Sequence, residues 1–221
     1  MPVGLEVLSS VGSLQVTSNY KNLAFYDYLD VTVVSDGSPD FYVYQLPVDN
    51  TYVYAYRPLT TGVAVGFHLS ANRALIVAPA NRNTPVRIYR FRRDGSGARA
   101  NFGLEVFDDS GNLAFSSAIQ YLKVLGYMSF SRFGTVGDTA AYNRRPAVIA
   151  GNMGCLATLS GGSGRWLWRQ RFTTLTFNAG NSITVSQLSS LEEFWQDSSP
   201  GLLPYGANST NAIVIDSSQL P

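Results

Sequence analysis

Gly4-Leu5-Glu6-Val7-Leu8-Ser9-Ser10-Val11-Gly12-Ser13-Leu14-Gln15-Val16-Thr17-Ser18 returns 99 residues later as Gly103-Leu104-Glu105-Val106-Phe107-Asp108-Asp109-Ser110-Gly111-Asn112-Leu113-Ala114-Phe115-Ser116-Ser117. Gly, Leu, Glu, Val, Gly, Leu and the final Ser coincide. The alignment runs on without a gap, pairing Leu23 with Leu122 and Tyr28 with Tyr127. Self-similarity at a fixed spacing marks a repeated structural unit, so an internal duplication is the first expectation. Each copy reads as a β-hairpin. Leu5 and Val7 alternate with Glu6, and Leu14 and Val16 alternate with Gln15. The 9–12 and 108–111 stretches end in a glycine free to take positive φ, as a turn requires. Leu104 and Val106 are expected to be buried, Glu6 and Glu105 exposed, and a third strand is expected near 23–29 and 122–128.

Working outward, short aromatic or β-branched runs bounded by Pro, Gly, Asn and Asp predict strands at 41–46, 52–56, 63–67, 74–77 and 86–91. The second half predicts strands at 147–149, 155–159, 165–172, 173–178, 182–185 and 212–215. Only 189–195 reads as a helical turn, with Ser190 as its cap and Glu192 and Glu193 in its first turn. Strands about ten residues apart with turn signals between them point to an all-β fold. The expected architecture is two related antiparallel β-sandwich-like domains, 1–94 and 102–221, joined by a Gly-rich polar linker at 95–101. Ala74-Leu75-Ile76-Val77 resembles Ala212-Ile213-Val214-Ile215, which implies an insertion of roughly forty residues around 135–180 in the second domain.

Composition narrows the function. Only 14% of the 221 residues are charged, with 16 Lys plus Arg against 15 Asp plus Glu; an ordinary domain has about 25%. No positive excess exists to drive counterion release, which argues against a nucleic-acid binder. Arginines number 14 against two lysines, and tyrosines 13. That bias matches protein interfaces, where Arg and Tyr are enriched and Lys is depleted, and it also matches biased codon usage. The single cysteine, Cys155, excludes an internal disulfide and a cysteine metal cage, and the single histidine, His68, excludes a histidine-rich metal site. No apolar run approaches the ~18 residues of a membrane span. The start, Met1-Pro2-Val3-Gly4, has no signal-peptide pattern. Synthesis in the cytoplasm without membrane insertion is expected.

Chemistry is sparse. No nucleophile elbow or Walker loop occurs, and Gly161-Gly162-Ser163-Gly164, lacking a following lysine, reads as a hairpin tip. His68 has no marked serine partner and reads as an ordinary strand residue. Carboxylate pairs of the kind that hydrolyse glycosides are Asp108 with Asp109, Glu192 with Glu193, and Asp27 with Asp30; each has a structural explanation, so no catalytic residue, cofactor or metal is expected. Two aromatic rows remain as interface or glycan-contact candidates. One is Tyr52, Tyr54 and Tyr56, for which a surface role is favoured because Val53 and Ala55 can fill the core. The other is Trp166 and Trp168 with Arg169, for which core or subunit interface is favoured over glycan binding.

The second copy of the repeat, followed by Tyr121-Leu122-Lys123-Val124-Leu125-Gly126 and preceded by Val86-Arg87-Ile88-Tyr89-Arg90-Phe91, resembles small tail-module proteins of tailed bacteriophages and prophages. In them a GLxVFDxxGxLxFxS hairpin leads into a strand ending in a basic residue and Val-Leu. The resemblance covers about 85–128 and, more weakly, 4–29; it does not reach 130–200. The first copy departs from the pattern at Ser9-Ser10 and at Val16. The resemblance implies a non-enzymatic virion protein of the tail tip, baseplate or fibre attachment, assembled as a trimer- or hexamer-related homo-oligomer with other phage tail proteins. The alternative is a tail-borne module that binds a host surface receptor or carbohydrate.

Overall fold

A computed structural model describes residues 6–8, 14–17, 23–33, 42–46, 49–68, 74–77, 83–92, 103–108, 110–131, 138–150, 155–162, 165–195 and 209–221. The first half contributes β1 (Glu6–Leu8), β2 (Leu14–Thr17), β3 (Ala24–Thr32), β4 (Tyr42–Gln45), β5 (Tyr52–Pro58), β6 (Val63–His68), β7 (Ala74–Val77) and β8 (Pro85–Arg92). The second half contributes β9 (Glu105–Phe107), β10 (Leu113–Ser116), β11 (Val124–Ser131), β12 (Thr139–Ala141), β13 (Pro146–Ala150) and β14 (Cys155–Gly162). It ends with β15 (Arg165–Phe177), β16 (Ser182–Trp195) and β17 (Ser209–Asp216). The fold is all-β and antiparallel. The expected helical turn at 189–195 is strand instead: Ser189 to Trp195 pair residue for residue with Arg171 to Arg165. A cap and two early glutamates are weak local preferences, and continuous cross-strand pairing overrides them.

Among the described residues, the strands form two large sheets and two separate hairpins. One sheet has six strands in the order β11-β17-β13-β5-β8-β3, and the other has seven, β12-β16-β15-β6-β7-β4 with β14 beside β15. Each order reads the same from both ends once strands are matched by position. β3, β8 and β5 mirror β11, β17 and β13; β4, β7 and β6 mirror β12, β16 and β15. The mirror lines are the antiparallel seams β5–β13, where Val148 pairs with Tyr56, and β6–β15, where Leu175 pairs with Val65. β14 has no counterpart.

Register repeats as well as order. β1–β2 pairs Glu6 with Thr17, Val7 with Val16 and Leu8 with Leu14; β9–β10 pairs Glu105 with Ser116, Val106 with Phe115 and Phe107 with Leu113. Every partner in the second hairpin stands 99 positions after its counterpart, and the bulge falls at the same place. β3–β8 slips between Phe25 and Asp27, and β11–β17 slips between Val124 and Gly126, again 99 positions on. The Asp108–Gly111 turn closes as expected. Asp108 accepts from the backbone N–H groups of Ser110 and Asn112, and Gly111 has φ +78.

This correspondence corrects two expectations. Ala74–Val77 and the 212–215 segment are not equivalent: β7 lies in the seven-stranded sheet, whereas β17 takes in the six-stranded sheet the place of β8. The strands without a full counterpart in the first half begin only after 150, not at 135, since β12 and β13 match β4 and β5, and they run past 180. They lie between β13 and β17, as β14 and the lengthened β15 and β16, of 13 and 14 residues.

The two large sheets face each other across one core. Tyr56, Val65 and Ile88 from the first half pack there with Val148, Leu175, Val185 and Val214 from the second. Burying each such side chain fully is worth ~1.5–3 kcal/mol. The opposite face of the six-stranded sheet carries a second cluster, Ala55, Tyr89, Phe91, Ala147 and Ile215, capped by Leu220 with Leu23 and Leu122 beside it. A third, Ala24, Leu113 and Ile119 with Tyr121, ties the β9–β10 hairpin to β3. Residues 1–94 and 102–221 each supply three adjacent strands to both large sheets, and the sheets and the main core run on across the seam between them. The 95–101 segment lies outside the described residues.

Candidate functional site

The tyrosine row sits on the inner face of β5. Tyr56 is 2% exposed, packs edge-on against Phe177 with ring centroids 6.1 Å apart, and burial pushes its hydroxyl far above the ordinary range. Tyr54 is buried, its hydroxyl 3.5 Å from the Asp49 carbonyl. Both are core residues, contrary to the surface role expected from sequence. The reason is that Val53 and Ala55 are buried too, in the outer cluster, so β5 is covered on both faces. Tyr52 alone reaches the rim, 5.4 Å from Tyr26, with Arg90 and Arg92 over its ring at 5.0 and 5.5 Å. Trp166, Trp168 and Arg169 lie in β15, paired with Gly161, Leu159 and Thr158 of β14 on one side and Phe194, Glu192 and Leu191 of β16 on the other. Their side chains lie outside the described residues.

Of the carboxylate pairs, Asp27 and Asp30 lie on opposite faces of β3, while Asp109 and the side chains of Glu192 and Glu193 lie outside the described residues. Asp27 pairs with Arg90 through both of its oxygens, on the inner face of β3. Asp30 takes Arg87 Nε and Nη2 at 2.6 Å on the outer face. That fork of donors holds the Asp30 carboxyl below the ordinary carboxylate range and raises Arg87. Arg87 also lies 4.1 Å over the Tyr28 ring. Asp108 is occupied by its turn; Glu192 and Glu193 are consecutive strand residues of β16. Among the described residues, no three His, Cys, Asp or Glu side chains converge as a metal site would need. No helix of the described residues is long and apolar enough to cross a membrane.

Sequence reasoning missed two features. One is the arginine partnership of β8 with β3. It is signalled by Arg87 and Arg90 standing three apart opposite Asp27 and Asp30, also three apart. The other is a groove of about 310 Å³ between the end of the β9–β10 hairpin and the 216–220 segment, lined by Phe115, Tyr121, Lys123, Asp216, Gln219 and Leu220. Phe115 and Tyr121 stack at 5.2 Å, Lys123 Nζ donates to Gln219 Oε1, and Gln120 Nε2 donates to the Gln219 carbonyl. Burial tends to raise the Asp216 carboxyl, but hydrogen bonds from Ser218 and the charges of Arg144 and Lys123 hold it below the ordinary range. An aromatic pair beside an acid, an ammonium and amides can stack on and hydrogen-bond a polar ring.

Besides Leu59 and the arginine-covered Tyr26 and Tyr28 of β3, large apolar side chains are exposed in two places among the described residues. Leu104 and Phe107 are 55% and 47% exposed at the β9–β10 hairpin; Val124, Tyr127 and Ile213 are 61%, 63% and 38% exposed at the β11 end of the six-stranded sheet. Leu104 was expected to be buried; Val106, at 8%, is. The residue facing the core is the second of the pair because Leu104 precedes the strand, where its backbone N–H instead meets Ser117 Oγ at 2.8 Å. In comparisons with known proteins, no family model, no curated protein and no solved structure matches this chain.

Proposed function

We propose that the chain is a non-enzymatic structural protein of a phage virion, placed in the distal tail at the tip, baseplate or fibre attachment, and that its two halves arose by internal duplication. The sequence resemblance motivates the tail reading. The observation that carries it to the structure is that the hairpin bearing the motif folds outside both large sheets and presents Leu104 and Phe107 to solvent. Apolar side chains exposed on a hairpin separate from the large sheets suit a subunit contact. The repeated registers of the hairpins and of β3–β8 and β11–β17 support the duplication. The ion-paired Asp27 and Asp30 favour a structural role over hydrolysis. Its partners in this reading are other tail proteins and further copies of itself.

A second reading, a receptor- or carbohydrate-binding module, is favoured by the Phe115–Tyr121 groove. Quantitative mass spectrometry of purified particles of the encoding phage, scaled to the major capsid protein, tests the placement in the virion. A reproducible low copy number in multiples of three or six is the expected result. Absence from the particles overturns the virion reading and leaves a binding module that acts free of the particle.

A further inference from the structure

The positional match between β3 and β11 makes one edge of the six-stranded sheet a control for the other. Both are edge strands, and both carry the same bulge. β3 is guarded by an ion pair on each face, Asp27 with Arg90 and Asp30 with Arg87, and Arg87 covers Tyr28. At the matching positions β11 and β17 hold Gly126 with Val214 and Ser129 with Asn211. Both charge pairs are gone; a Ser129–Asn211 hydrogen bond of 3.0 Å replaces one of them. Tyr127 matches Tyr28 but is 63% exposed against 39%, and Ile213 is 38% exposed where its counterpart Tyr89 is 1%. The strand Val-Leu-Gly-Tyr-Met-Ser-Phe-Ser has no charged residue at all.

Exposed sheet edges expose a row of backbone donors and acceptors, and charges on the edge are a common guard against pairing with another chain. Here one edge keeps its guard and the equivalent edge has lost it, with an apolar patch beside it.

We propose that β11 is an interface between two copies of this chain, pairing edge to edge and antiparallel about a two-fold axis. Identical uncharged strands meet across such an axis without like-charge repulsion, and pairing brings the two Val124, Tyr127 and Ile213 patches together. The fold already joins matching strands this way at the β5–β13 and β6–β15 seams. The interface does not depend on the tail reading.

The test is the mass of the purified full chain in solution by sedimentation or light scattering, at tens of micromolar. A dimer is expected. The double substitution Ser129→Asp with Asn211→Arg rebuilds on β11 the pair that β3 already accommodates; it is expected to halve the mass while leaving the circular dichroism spectrum unchanged. Tyr127→Lys, at an exposed position, should do the same and serves if the double variant does not fold. Asp30→Ser with Arg87→Asn, on the opposite edge, should leave the β11 contact in place. A wild-type monomer, or a dimer indifferent to both β11 variants, overturns the proposal. Either result leaves the particle measurement free to succeed or fail independently.

Discussion

Asp27 and Asp30 stand three residues apart on β3, and that spacing sends them to opposite faces of the sheet, each to its own arginine. Asp30 shows what such a pair contributes. Its carboxyl is held below the ordinary range chiefly by the Arg87 hydrogen bonds. An acid whose folded pKa is depressed adds stability above its unfolded value of about 3.9, and loses it as pH falls through the folded value. The pair is substantially open to water, with the Asp30 side chain 39% exposed, so its contribution at neutral pH is at most about 1 kcal/mol. Asp30→Asn should therefore melt slightly lower than the wild type at pH 7, and the gap should close as both are acidified below about pH 4. Melting curves across that range check it; a gap that persists unchanged in acid would show that the carboxylate charge is not what Arg87 stabilises.

Hairpins and strands were largely legible from residue pattern, and their burial less so. The repeat located β1–β2 and β9–β10 and, in the second hairpin, the positive-φ Gly111 of the turn, because local alternation and turn chemistry suffice for a hairpin; the 9–12 turn lies outside the described residues. Gly103 shows why a glycine recurs in the motif: a Cβ there would stand 2.6 Å from Ser117 Oγ, the group that accepts from Leu104 N–H. Alternation alone did not say which apolar residue of the hairpin faces inward. The difference is measurable. Val106→Asp places a charge at an 8% exposed site and should cost several kcal/mol, on the order of 2–5. Leu104→Asp, at a 55% exposed site, should cost under about 1 kcal/mol. Denaturant unfolding of the two variants checks the assignment, and equal losses would contradict it. The tyrosine row failed for a related reason. A period of two identifies the faces of β5, but when both faces are buried it cannot tell core from surface.

The whole molecule was the least legible level. Local signals give strands, but the choice of sheet partners is made by contacts far apart in sequence. Nothing in residues 52–58 announces β13 as a neighbour, and nothing in 63–68 announces β15. The Gly-rich 95–101 segment suggested a domain boundary because its composition is that of a linker, yet the strand blocks on either side of it join edge to edge in both large sheets. Tyr56, Ile88, Val148 and Val214 share one core, so removing either half strips the other of its partner strands and exposes that core. The central claim is this shared sandwich. Scanning calorimetry of the intact chain tests it most directly, comparing the measured unfolding enthalpy with that derived from the steepness of the transition. One transition with a ratio of about 1 is the predicted result, because a single core melts as one unit. Two transitions, or a ratio of about 2, would contradict the account and restore two independent domains.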